Sequence, residues 1–273
     1  GHMGESNPLT KLVPDLSGGV DPDDAFSRVP YEKGFNLLCH LADHMGGEAG
    51  FAAFAKAYIQ AFKGRTVTSP AFADFVKEWA AAHKHDLSAV AWDTWFTEPG
   101  MPVVTRAFDS SLADACLALA AQWARGDTAA CTAEDVAGWS SLERQLFLEG
   151  LQDEVGDVLE GKPPPAPLDE AALKRLAHLY GFGSTGANTS TNCEEAFRYY
   201  RLCLARNATF VLPEVIAFLK SNGRMKYIRP LFRQLYARPG TRDSALQTFQ
   251  AWRTNYHPIA QHMLEADLGL RGQ

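Results

Sequence analysis

Few residues in this chain of 273 stand where they could do chemistry. Tyr31 is one. It follows Ser27 and Pro30, and that order marks a helix start, because serine caps a helix and proline suits its first turn. A phenol in the first turn lies beside unpaired backbone N–H groups and the positive end of the helix dipole. Its O–H could donate a hydrogen bond to the oxyanion of a tetrahedral intermediate. Read from its residues alone, Tyr31 is just as well a core tyrosine of an amphipathic helix. Gly223-Arg224-Met225-Lys226 is the second candidate. A guanidinium and an ammonium two residues apart could clamp one carboxylate. The plainer reading is a C-capping glycine followed by solvated charges.

Two histidine groups imitate metal sites. His40 and His44 stand four residues apart, the spacing that puts two ligands on one helix face. Leu41, however, occupies the place of the glutamate base in H-E-x-x-H, and that motif is absent from the whole chain. No third ligand is apparent, so the pair reads as two polar-face histidines. His83 and His85 fall at a helix end, where cations suit the dipole. No metal-ligating set is expected here. A G-x-S-x-G elbow is also absent, and Gly181-Phe182-Gly183-Ser184-Thr185-Gly186 follows a helix rather than a strand, so it reads as a flexible connection.

The elements that must position these residues are helices almost throughout. Tyr31, Phe35, Leu38 and Leu41 recur at helical spacing until Gly46-Gly47. Phe51, Phe54, Tyr58 and Phe62 form the stripe of a second helix over 48–62. A third starts at Ser69-Pro70, and a short apolar element spans 90–96. Glu98-Pro99-Gly100-Met101-Pro102 excludes a continuous helix. This places a linker at 98–108 between a unit at 4–97 and a helical train at 109–273. In that train, helices are expected at 109–125, at a capping box from Thr132, and from a second box at Ser140 to about Leu159. Gly161 to Pro167 reads as a polyproline connection, and further helices span 168–180, 192–206, 213–221, 225–238 and 241–255, with a last one ending near Leu268. Short amphipathic helices in succession suggest antiparallel pairs stacked as a right-handed solenoid, although no exact sequence period is present. Trp92, Trp95, Trp123, Trp139 and Trp252 read as core anchors.

Composition limits the function classes. A hydrophobic share of 46% supplies a real core, and a net charge of −6 suggests neither nucleic acid nor an anionic membrane as partner. No apolar run approaches the roughly 20 residues of a membrane span. Cys39, Cys116, Cys131, Cys193 and Cys203 are odd in number and scattered, which points to buried thiols in a reducing, cytoplasmic setting. Gly1-His2-Met3 reads as the remnant of an expression tag and is set aside.

Four islands carry a resemblance. They are the segments 21–34, Trp95-Phe96-Thr97-Glu98-Pro99-Gly100-Met101-Pro102, Gly223 to Phe232, and His257-Pro258-Ile259-Ala260. In that order they resemble the C-terminal portion of the M1 zinc aminopeptidases, in the branch of leukotriene A4 hydrolase and aminopeptidase B. The resemblance implies an all-α fold, with the helical end of the M1 catalytic domain followed by an armadillo/HEAT-like α-α superhelix. It implies a parent enzyme that cleaves N-terminal residues from short peptides, with its zinc ligands and glutamate base upstream. Tyr31 then matches the catalytic tyrosine that stabilises the tetrahedral intermediate when zinc-bound water attacks. Arg224 and Lys226 match the pair that recognises the substrate's free carboxylate. Asp23 matches an aspartate that directs water in epoxide hydrolysis. Phe26 departs from the pattern, standing where leukotriene A4 hydrolase has a second tyrosine, which puts that second activity in doubt. The chain alone is expected to bind no catalytic zinc, to be inactive, and to pack against the missing segments. A noncatalytic helical scaffold for protein binding is the alternative reading.

Overall fold

The computed structural model describes residues 4–19, 27–156, 168–183 and 192–270. Among these residues all regular structure is helical, and the chain divides into two compact units, 1–108 and 109–273.

Among the described residues the first unit holds a 3-10 turn over Pro8–Thr10 and four α-helices: α1 (Val29–His44), α2 (Gly47–Phe62), α3 (Ser69–Ala82) and α4 (Trp92–Thr97). α3 starts at Ser69-Pro70 as expected, with Thr68 as its cap, the hydroxyl accepting from Ala71 N. Met45, Gly46 and Gly47 turn α1 into α2, and both glycines adopt positive φ, a conformation costly for other residues. The core is small, built on Leu37, Leu41, Met45, Phe54, Val76, Val90 and Trp95. Around it the expected α2 stripe meets α3 as an aromatic cluster, with Phe54 packed against Tyr58, Phe72, Phe75 and Trp79 at centroid separations of 5.5–6.5 Å.

One buried charge ties this unit's ends together. Lys33, on α1, is only 3% exposed. Its ammonium donates to the carbonyls of Thr10 and Glu98 at 3.3 and 2.8 Å. Burial lowers its pKa, and Glu98 opposes that shift. Thr10 in turn accepts from Gly100 N at 2.7 Å. The Pro/Gly segment after α4 is thereby fastened to the start of α1.

The second unit contains α5 (Ser111–Ala124), α6 (Ser141–Val155), α7 (Glu170–Tyr180), α8 (Cys193–Ala205), α9 (Leu212–Ser221), α10 (Met225–Ala237), α11 (Pro239–Trp252) and α12 (Pro258–Asp267). Helices stack in succession, α5 on α6, α6 on α8, α8 on α10, and α10 on α11 and α12. One continuous core runs through them. Both capping boxes form, but the one at Thr132 opens only a 3-10 turn over Ala133–Val136. Trp123, buried in that core, donates to Tyr180 Oη at 3.0 Å, and Tyr180 donates to Asp135 at 2.8 Å. The 3-10 turn is thus hydrogen-bonded to the end of α7.

Several sequence expectations shift. α6 ends at Val155, where Gly156 takes positive φ, and the expected continuation to Leu159 lies outside the described residues. So do the polyproline connection over 161–167 and most of the Gly/Ser loop after Gly183. α11 starts at Pro239 and closes as a 3-10 turn over Arg253–Asn255. Trp95 and Trp123 are fully buried, whereas Trp92, Trp139 and Trp252 pack at core edges. Cys116, Cys131 and Cys203 are buried, while Cys39 and Cys193 are half-buried.

Candidate functional site

Tyr31 is the third residue of α1. Ser27 does not cap this helix in the expected manner. Arg28 holds the cap position in helical conformation, and Ser27 Oγ accepts from Val29 N at 3.2 Å. Tyr31 N donates to Arg28 O at 3.1 Å. The core reading of Tyr31 fails, because the side chain is 66% exposed. Phe35 and Leu38, one and two turns on, are 49% and 38% exposed. Leu37 and Leu41 carry the buried face instead. The stripe containing Tyr31 is therefore a second apolar face of α1, turned away from its core. Phe108 stacks on Phe35 at 5.8 Å along it. Asp23 and Phe26 lie outside the described residues.

Arg224 and Lys226 belong to the second unit. Gly223 is not a left-handed C-cap: α9 ends at Ser221 with Asn222 as its cap, and Gly223 lacks a positive φ. Arg224 is the cap residue of α10, and Lys226 lies in its first turn. Neither is simply solvated. Both converge on the carboxylate of Glu194, in the first turn of α8. Lys226 Nζ lies 2.7 Å from each Glu194 oxygen, and Arg224 Nη1 lies 3.7 Å from Oε1. Tyr227 Oη donates to Oε1 at 2.8 Å, and Arg198 Nη1 to Oε2 at 2.8 Å. Arg198 also pairs with Glu149 on α6. Burial acts to raise the Glu194 pKa, but hydrogen bonds from Lys226, Arg198 and Tyr227 outweigh it and hold the carboxyl at about 2. Both cations also lie near the Tyr227 ring, at 5.6 and 5.7 Å.

Sequence reasoning missed Glu194 and Lys33. Glu194 is 32 residues from Lys226, and only its helix-start position after Asn192 marks it. Lys33 sits inside the island that carries Tyr31, where its burial has no local sign.

The histidine pairs have structural partners. His40 meets His44 edge-on at 4.7 Å and faces Trp95 at 6.0 Å. Burial, followed by repulsion from His44, lowers the His40 pKa. His83 and His85 stack on Trp79 at 4.0 and 5.7 Å. Among the described residues no group of three or more His, Cys, Asp or Glu side chains could hold a metal ion. No helix among them is long and apolar enough to cross a membrane.

Among the described residues the architecture is helical in two units, with an exposed first-turn tyrosine on one and a basic pair closed on a carboxylate on the other. Residues 2–95 match the family model "Peptidase family M1 domain", and residues 139–268 match "Leukotriene A4 hydrolase, C-terminal". The chain is 36% identical to leukotriene A-4 hydrolase of Xenopus laevis over 269 residues, which is 97% of this chain and 41% of that one. Leucine aminopeptidase 2 of Aspergillus niger is also 36% identical, with 98% and 41% covered. The native leukotriene A4 hydrolase structure from Saccharomyces cerevisiae superposes with a TM-score of 0.82 at 32% identity, covering 98% of this chain and 43% of that one. The chain belongs to the M1 peptidase family, in the leukotriene A4 hydrolase branch, and corresponds to the C-terminal portion of such proteins. It spans about two fifths of the length of the curated relatives it matches.

Proposed function

We propose that this chain is the C-terminal part of a zinc-dependent aminopeptidase that removes N-terminal residues from short peptides. The observation that carries the reading is the convergence of Arg224 and Lys226 on one carboxylate. A pair that closes on Glu194 has the reach and charge to close on a peptide's C-terminal carboxylate. Residues 4–97 would complete the catalytic domain, 98–108 would link, and 109–273 would form the armadillo-like domain that bears the clamp.

Tyr31 supplies the second function. Its exposed phenol would donate a hydrogen bond to the oxyanion formed when the scissile carbonyl is attacked. The first turn of α1 adds a favourable field for that negative charge. The described residues do not fit a catalytic zinc, since His40 and His44 lack a third ligand. Zinc would be held by residues outside this chain, against which the exposed α1 stripe would pack. Asp23 would serve water placement in epoxide hydrolysis, an activity that Phe26 disfavours by removing a hydroxyl from the lipid side.

The test is aminopeptidase activity of the chain joined to its upstream segment, with free tripeptides and aminoacyl amides as substrates. Chelator-sensitive activity is expected. Tyr31→Phe should lower kcat by about a hundredfold or more with zinc content unchanged. Arg224→Ala should raise KM for free tripeptides and leave aminoacyl amides unaffected. An inert, zinc-free extended protein would refute the peptidase reading and favour a helical scaffold.

A further inference from the structure

The proposed function assigns Glu194 no role, yet its carboxylate pairs with both Lys226 and Arg224. We propose that Glu194 is an internal carboxylate that competes with the peptide's C-terminal carboxylate for Lys226 and Arg224, and so sets the affinity of that site. The inference rests on the reading of the pair as a substrate clamp.

Geometry supports competition. An ammonium has three donors, and Lys226 already directs its charge at both Glu194 oxygens, 2.7 Å away. Arg224 is more open: its ion pair with Glu194 is 3.7 Å long and its side chain is 65% exposed. An incoming carboxylate would therefore meet Arg224 first and would have to share Lys226 with Glu194. Charge points the same way. In the connected group, Arg198, Arg224 and Lys226 face Glu149 and Glu194, leaving one positive charge in excess. That excess matches one substrate carboxylate. Removing the Glu194 charge would double it.

The alternative role is support, with Glu194 merely orienting the two cations. The outcomes differ in sign. A support residue, once neutralised, weakens carboxylate binding. A competitor, once neutralised, strengthens it, because a like charge within a few ångströms of the ligand is gone.

The experiment titrates the chain as it stands with trialanine and with trialanine amide, following the Arg224 side-chain signal by NMR at low salt. For Glu194→Gln, trialanine affinity should rise about three- to tenfold, and the gain should shrink as added salt screens it. Glu194→Asp, which keeps the charge, should return affinity to the wild-type value, and the amide should bind weakly to all three. Weaker or unchanged trialanine binding by a folded Glu194→Gln chain overturns the proposal and leaves Glu194 as a support. If trialanine and its amide behave alike in every variant, the clamp reading fails, and this inference fails with it. A Glu194→Gln chain that does not fold would likewise show a support role, provided Glu194→Asp folds.

Discussion

At the scale of single residues, this chain shows how an exposed side chain differs from a core one of the same type. Tyr180 and Tyr31 are both helical tyrosines. Tyr180 is buried, and its hydroxyl bridges Trp123 and Asp135. Tyr31 is two-thirds exposed on an apolar stripe that its own unit covers only in part, through Phe108 on Phe35. The sequence could place Tyr31 in a first helical turn, but helical spacing cannot say which of two apolar faces meets the core. Glu194 was illegible for a different reason. Apart from Arg198, one turn on in α8, its partners lie at the start of α10, and only packing of α8 against α10 brings them together. The carboxylates of this region make a pH prediction. Glu194, ordinarily near 4.5, is held at about 2. For Asp267, burial acts upward, but hydrogen bonds from Arg229 and Arg233 lower its pKa below the usual 3.8. A depressed carboxylate stabilises the fold fully above its unfolded pKa and loses that contribution as pH falls through its folded value. Stability of the second unit should therefore be flat above about pH 5 and decline from there toward pH 2. Urea midpoints measured across that range check it, and Asp267→Asn, less stable at pH 6, should show a shallower decline. A wild-type midpoint that does not move between pH 5 and 3 would refute it.

At the scale of elements, the helices were largely legible and their ends less so. Capping boxes at Thr132 and Ser140 both form, yet one starts a full helix and the other a single 3-10 turn. The local signal is the same, and the length of each element is set by the residues downstream of its cap. The chain after Val136 turns at Gly138, whereas the residues after Ser140 bury Phe147, Leu148 and Leu151. Two glycines separate local from tertiary demands. A Cβ on Gly50 would stand 1.7 Å from the backbone carbonyl oxygen of Met45, because the turn between α1 and α2 folds that carbonyl against α2. Backbone there cannot retreat without opening the turn. A Cβ on Gly150 of α6 would stand 2.7 Å from the tip of Leu117 on α5, and Leu117 is 44% exposed and can rotate away. Gly50→Ala should therefore cost more than about 2 kcal/mol. Gly150→Ala should stay within about 1 kcal/mol, its overlap offset by better helix propensity. Denaturant unfolding of both variants measures the contrast, and equal costs would show that the α1–α2 turn is more pliable than its glycines indicate.

At the scale of the whole molecule, the two units differ in how much they bury. Among the described residues the first has a small core cluster of seven, five on its four α-helices and two, Met45 and Val90, in the connections. It also exposes Tyr31, Phe35, Leu38 and Phe108. The second has one core running from α5 to α12, reinforced by the Trp123–Tyr180–Asp135 bridge and by the ion pairs of α10 with α12. Stability grows with the fraction of apolar surface removed from water, and a small core leaves little margin over conformational entropy. The division follows from composition as well as from packing, since Pro99 and Pro102 interrupt the helical pattern between the units. The chain should therefore unfold in two steps, the first unit melting below the second. Residues 109–273 alone should melt cooperatively near the upper transition of the whole chain. Gly50→Ala, confined to the first unit, should lower only the first transition. Calorimetry of the chain, of the 109–273 piece and of that variant tests the order. A single transition that Gly50→Ala shifts as a whole would mean that the two units are thermodynamically one. The exposed α1 face makes the same asymmetry visible another way. Joined to its upstream segment, the first unit should gain more thermal stability than the second, because the apolar stripe carrying Tyr31 is where new surface would be buried.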